Sequence, residues 1–154
     1  MYKKRPPRLN FVFQRYEAPL YFLTFNTYAR RALLAHDSVH RSLRAFADRG
    51  KGRGYSVGCY MIMPDHIHLF LRKGPESHTL GRFIGLLKQC LSKSRDLKEQ
   101  VRPHWQEGFF DHLMRSTESY AEKWEYVRQN PVRGGLVASS DDWPYQGEIV
   151  RIPF

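Results

Sequence analysis

Residues Tyr55–Lys73 read YSVGCYMIMPDHIHLFLRK. Two runs rich in strand-forming residues meet at Met63-Pro64-Asp65, a pattern that predicts a β-hairpin turning at that tripeptide. Side chains alternate across a strand, so Ile67, Leu69 and Leu71 share one face of the second run while His66, His68 and Phe70 share the other. An all-aliphatic face needs an apolar cover, and the segments on either side supply two. Val39, Leu43 and Phe46 recur at helical spacing within SVHRSLRAFADRG, which Gly50 stops. Leu80, Phe83, Ile84, Leu87 and Leu91 mark a second amphipathic helix, with Arg82, Lys88, Lys93 and Lys98 at its polar positions. Both imidazoles are then expected on the open face of the sheet, side by side.

Further strands flank these helices: LYFLTFNTY after Pro19, and WQEGFFDHLMR after Pro103. The order is β-α-β-β-α-β, that of an α+β, ferredoxin-like antiparallel sheet with two helices on one face, which RRM-like domains also use. A further helix follows in SYAEKWEYVRQNPVRGGL. Ser119 and Glu122 have capping-box spacing at its start, and Ser116 is an equally good first cap. Pro131 disfavours helix directly after Asn130, and Gly134 and Gly135 mark the exit.

A chain of 154 residues with 42% apolar content supplies one ordinary core, so one domain over 1–154 is expected. A basic arm over about 1–10 and a C-terminal tail over about 138–154 would flank it. The 25 Lys and Arg against 15 Asp and Glu leave a formal charge of +10, which favours a polyanionic partner, nucleic acid first. Cys59 and Cys90 are isolated, so neither a zinc site nor a disulfide framework is indicated, and a reduced, intracellular setting fits. No apolar run has signal-peptide or membrane-spanning character, which argues against a membrane partner.

Two histidines one residue apart on a strand can chelate one divalent ion, or can be polar surface. The last helix adds a second constellation. Tyr120, Trp124 and Val127 form its apolar stripe, whereas Tyr126 falls off that stripe and shares a face with Asn130 at i, i+4 spacing. Such a Tyr can present its hydroxyl beside a metal that the carboxamide helps to hold. A phenol with an ordinary pKa near 10 needs a cationic surrounding to act as a nucleophile.

Together these residues resemble a known family. MPDHIHLF looks like the HUH motif of single-tyrosine transposases related to insertion-sequence transposases. WQEGFFDHLMR, EYVRQNPVRGGLV and DWPY, following in that order, look like the later blocks of the REP-associated tyrosine transposase branch, and the resemblance runs from about Arg8 to Tyr145. It implies a bacterial, cytoplasmic, nucleoid-associated enzyme that cuts single-stranded DNA beside a folded hairpin. The cut leaves a 5′-phosphotyrosine link and a 3′-hydroxyl, and the reverse attack rejoins strands. Carried over by position, His66 and His68 match the metal ligands, Tyr126 the nucleophile and Asn130 the carboxamide. The resemblance implies Mg2+ or Mn2+, although two imidazoles alone would suit Zn, Ni or Fe. Asp65 stands where Asn or Glu is also common, and Gln146-Gly147 departs from the serines usual after WPY. Phosphate contacts are expected from Arg72, Lys73, Arg128 and Arg133, each of which is otherwise a solvated surface base. A monomer and a homodimer sharing Tyr helices both remain open, as does the sequence of the hairpin.

Two other readings compete. A non-catalytic RRM-like nucleic-acid-binding module would carry aromatics in place of the His pair and no off-stripe Tyr. A metal-dependent phosphoesterase with a water nucleophile would leave Tyr126 dispensable.

Overall fold

The Tyr55–Lys73 hairpin forms the centre of the sheet. A computed structural model describes residues 18–75, 77–115 and 118–153; the expected basic arm over about 1–10 and the alternative cap Ser116 lie outside them. Strand β3 (His66–Lys73) pairs antiparallel with β2 (Tyr55–Ile62) on one side and β1 (Leu20–Asn26) on the other. Outside β1 lies β4 (Phe110–Leu113), outside β2 lies β5 (Gln146–Glu148), and the sheet order is β4-β1-β3-β2-β5. Helices α1 (Asp37–Gly50) and α2 (Leu80–Ser92) complete the expected β-α-β-β-α-β order. Thr79 caps α2 by accepting from Arg82 N–H at 3.2 Å.

One face of the sheet meets α1 and α2 as the alternation predicts. Leu23 and Phe25 of β1 and Ile67, Leu69 and Leu71 of β3 pack with Val39, Leu43, Phe83, Ile84, Leu87 and Leu91 in a single apolar cluster. The opposite face corrects the expectation of an open surface. There Leu20, Phe22, Cys59, Met61, Met63 and Phe70 form a second apolar cluster, under α3 (Tyr120–Arg128) and the C-terminal tail. Helix α3 uses the expected stripe: Val127 is buried in that cluster, and Tyr120 and Trp124 pack against it. A nine-residue helix is marginal alone in water, so this packing is what stabilises it. Ser119 caps it, its hydroxyl accepting from Glu122 N–H at 3.1 Å.

Three local differences have physical causes. The fourth strand is shorter than WQEGFFDHLMR suggests. Gly108 has φ +86°, and Trp105 makes only an isolated bridge to Thr27. Trp105 and Phe109 pack instead against the helix-side core, with Trp105 Nε1 donating to Lys88 O and Ser92 Oγ. Pro131 interrupts rather than ends the last helix: after Gln129, α4 (Asn130–Arg133) restarts with the proline in its first turn, where a missing N–H costs nothing. Finally, the tail adds a strand. Gln146 ties its start with donations to Ser140 O and Trp143 O, and Ile149 and Val150 N–H donate to Gly58 and Val57 carbonyls.

That edge pairing runs past a register shift between Val57 and Tyr60 in β2. There Tyr120 Oη reaches down from α3 and accepts from Cys59 N–H at 2.9 Å. Burial pushes the Tyr120 phenol far above its usual range. A Cβ at Gly58 would collide with that hydroxyl and stand 2.6 Å from Ile152 Cδ1, so glycine is required by close approach. No described helix is long and apolar enough to cross a membrane.

Candidate active site

β3 presents His66 and His68 on the α3 side, their ring centroids 4.7 Å apart at 82°. Each ring is held by its Nδ1. His66 Nδ1 meets Asp65 Oδ1 at 2.8 Å, and Asp65 Oδ2 accepts from Arg30 Nε at 3.0 Å. His68 Nδ1 meets Thr24 Oγ1 at 2.8 Å, directly across the β1–β3 ladder. Among the described residues no hydrogen bond engages either Nε2. Outer partners of this kind orient imidazoles for metal binding.

The electrostatics favour neutral imidazole at His68. Burial, then the neighbouring His66, Lys123 and Arg133, push its pKa down to about 3. A neutral ring is the form that ligates a metal. Burial raises the Asp65 carboxyl, but hydrogen bonds from His66 and Arg30 outweigh it and leave the group below its ordinary value. Asp65 therefore remains an anion that steadies the His66 ring.

Tyr126 is 65% exposed on the outer side of α3. The Arg133 guanidinium lies 4.1 Å over its ring and also donates to Asn130 Oδ1, so the three residues form one group. Arg133 is also among the charges that lower the His68 pKa, after burial, His66 and Lys123. Lys123, on the same helix, places its Nζ 4.8 Å over the Phe22 ring, and Phe22 stacks on His68 at 5.3 Å.

The bases expected on phosphates are placed unequally. Arg72 is a correction: it is 3% exposed, and its guanidinium donates to Ala18 O and to Pro153 O, bracing both ends of the described chain. Strand parity explains this, because Arg72 shares the Phe70 face beneath the C-terminal tail. Lys73 is half-buried, with Nζ 3.5 Å from Gly74 O. Arg128 is committed to Glu125 at 3.2 Å and Asp141 at 2.9 Å. Arg133 stands beside the candidate nucleophile. Thr24, Arg30 and Lys123 escaped the sequence reading. Only Lys123 left a signal, at i−3 from Tyr126 and i−7 from Asn130.

Among the described residues no group of three or more His, Cys, Asp or Glu could hold an ion. Two imidazoles with Nδ1 tied back fit a divalent ion that completes its shell with a carboxamide, water and phosphate oxygens.

No family model matches the chain. It is 25% identical over 133 residues to the REP-associated tyrosine transposase of Escherichia coli K12, covering 81% of this chain and 73% of that protein. It is 26% identical over 136 residues to a Haemophilus influenzae protein provisionally given the same description, covering 82% and 77%. A solved structure of a REP-associated tyrosine transposase bound to a REP hairpin superimposes with a TM-score of 0.69 at 21% identity, covering 95% of this chain and 82% of that one. The class of protein that the chain is similar to is therefore that of the tyrosine transposases. More narrowly, it is a relative of the REP-associated tyrosine transposases, with their α+β fold.

Proposed function

We propose that the protein is a transposase-type enzyme that binds single-stranded hairpin DNA and cuts beside the hairpin through Tyr126. Support comes from the relatives and from one geometric observation: His66 and His68 have their Nδ1 atoms tied back on the side of the sheet that α3 covers, and α3 carries Tyr126. In this reading His66, His68 and Asn130 hold a Mg2+ or Mn2+ ion, which when bound supplies Lewis-acid polarisation of the scissile phosphate. Tyr126 Oη attacks phosphorus, the bond to the 3′ oxygen breaks, the phenolic proton passes to solvent, and the 3′ oxygen leaves as a hydroxyl after taking up a proton. Arg133, stacked on the Tyr126 ring, orients the phenol and places a positive charge beside the phosphate. Attack by a 3′-hydroxyl on the phosphotyrosine reverses the step and joins strands. Phosphate contacts dominate binding, which weakens steeply as salt rises.

The test uses the purified full chain, Mg2+ or Mn2+ and a labelled single-stranded hairpin oligonucleotide, resolved on a denaturing gel. Wild type should yield a covalent protein–DNA adduct, and Tyr126→Phe should yield none while remaining folded, since the side chain is exposed. Adduct formation by Tyr126→Phe, or cleavage by wild type with no adduct, defeats the assignment. Equal affinity for perfect duplex defeats the proposed substrate.

A further inference from the structure

We infer that Phe110 is a base-stacking platform that positions an unpaired nucleotide next to the scissile phosphate; this deepens the reading above and rests on it. Phe110 pairs across β4–β1 with Thr24, and Thr24 pairs across β1–β3 with His68, so the three side chains occupy one row of the α3-side face. Adjacent strands lie about 4.8 Å apart, which sets Phe110 about 10 Å from His68 along that row. The aromatics of this face have different fates. Phe22 and Phe70 are 6% and 0% exposed beneath α3, whereas Phe110, on the marginal strand, is 59% exposed.

A planar apolar ring left in water two strands from the His pair on the same face has the chemistry of a stacking surface for an unpaired base, since every base offers a π face. A duplex keeps its base faces stacked on one another and offers none. The charge beside the platform fits the same ligand. Lys123 Nζ sits over Phe22, the diagonal neighbour of Phe110 about 7–8 Å away on the same face, where a backbone phosphate of a stacked nucleotide could reach it. Exposed aromatics interleaved with cations are how single strands are held.

The test is a double-mutant cycle between protein and DNA. Wild type, Phe110→Ala and Phe110→Trp are compared on hairpin substrates carrying one abasic site, moved nucleotide by nucleotide through the single-stranded flank on each side of the cut. In wild type, one abasic position should raise the KM for adduct formation about 10-fold or more, the size of a base–aromatic stack. Phe110→Ala should raise KM on intact DNA by a similar factor, with kcat and melting temperature little changed. The two losses should not add at that one position, and Phe110→Trp should restore wild-type KM. An unchanged KM for Phe110→Ala, or losses that add at every position, overturns the inference. Should wild type itself form no adduct, the proposed function fails. The platform is then judged separately by Kd from fluorescence anisotropy on the same oligonucleotides, where non-additivity upholds it and additivity overturns it.

Discussion

On the α1–α2 side of the sheet, Leu23, Ile67, Leu69 and Leu71 meet Leu43, Leu87 and Leu91, none of them more than 1% exposed. On the α3 side, Phe70 and Met61 are as deeply buried, yet each adjoins His68, one on the same strand and one across the ladder. The first face is uniform and serves shape. The second is divided: an apolar half holds α3 down, and a polar half presents His66, His68 and Thr24 on the same side of the sheet. A site of this design gets its rigidity from the cluster beside it, so substitutions in the two halves should separate stability from chemistry.

The strongest way to break the contrast is to replace both His66 and His68 by Ala. Adduct formation should fall about 1000-fold or more, while urea denaturation shows a loss of only about 1–3 kcal/mol from the Thr24 and Asp65 hydrogen bonds. Global unfolding of this variant would mean that the polar half is structural. Leu87→Ala asks the converse on the uniform face. Denaturation should register a loss of about 2–5 kcal/mol, and adduct yield per folded molecule should hold. Tyr120→Phe tests the seam between the halves: removing the oxygen that accepts from Cys59 N–H at the irregular part of β2 should cost about 1–3 kcal/mol. For that reason Tyr120→Phe is no neutral control for Tyr126→Phe, and its melting curve has to be read beside its activity. Smallest is Thr24→Val, which keeps the shape and removes the partner of His68 Nδ1. Metal-dependent activity titrated against Mn2+ should shift to about 10-fold higher metal, with the melting curve nearly unmoved. An unshifted titration would show that Thr24 does not orient the ring.

How much was legible follows the same division. Period-2 alternation in HIHLFLRK assigns Ile67, Leu69 and Leu71 to one side, and the helical spacings in α1 and α2 name their cover, so the uniform face could be read from local patterns. Alternation says which side a residue takes, not what lies over it. The cover of the second face comes from a helix about fifty residues later, and the apolar Phe70 between His68 and Arg72 was the one local hint of it. Arg72 was misplaced for the same reason: its parity was available but the tail above it was not. β5 could not be anticipated, because Gln146-Gly147-Glu148 has no strand character and is held by the free edge of β2 and by Gln146's own hydrogen bonds. In the candidate site, the His pair and the Tyr126–Asn130 face were legible from spacing and resemblance. Thr24 and Arg30 depend on inter-strand register and a turn, which one-dimensional spacing does not encode.

The hydrogen bond from Cys59 N–H to Tyr120 Oη, admitted by the bare Cα of Gly58, acts as a locating pin between a sheet and a helix laid across it. An apolar stripe alone tolerates sliding, because one ring can replace another in a greasy groove. A slip of one residue along α3 would translate Tyr126 by about 1.5 Å and swing it through about 100°. Displacements of about 1 Å can cost a displacement reaction on the order of 100-fold. The pin sits six residues before Tyr126, less than two turns away, so little error can accumulate between datum and proposed nucleophile. Seen this way, an oxygen buried where no substrate reaches sets the alignment tolerance of one that stands in solvent.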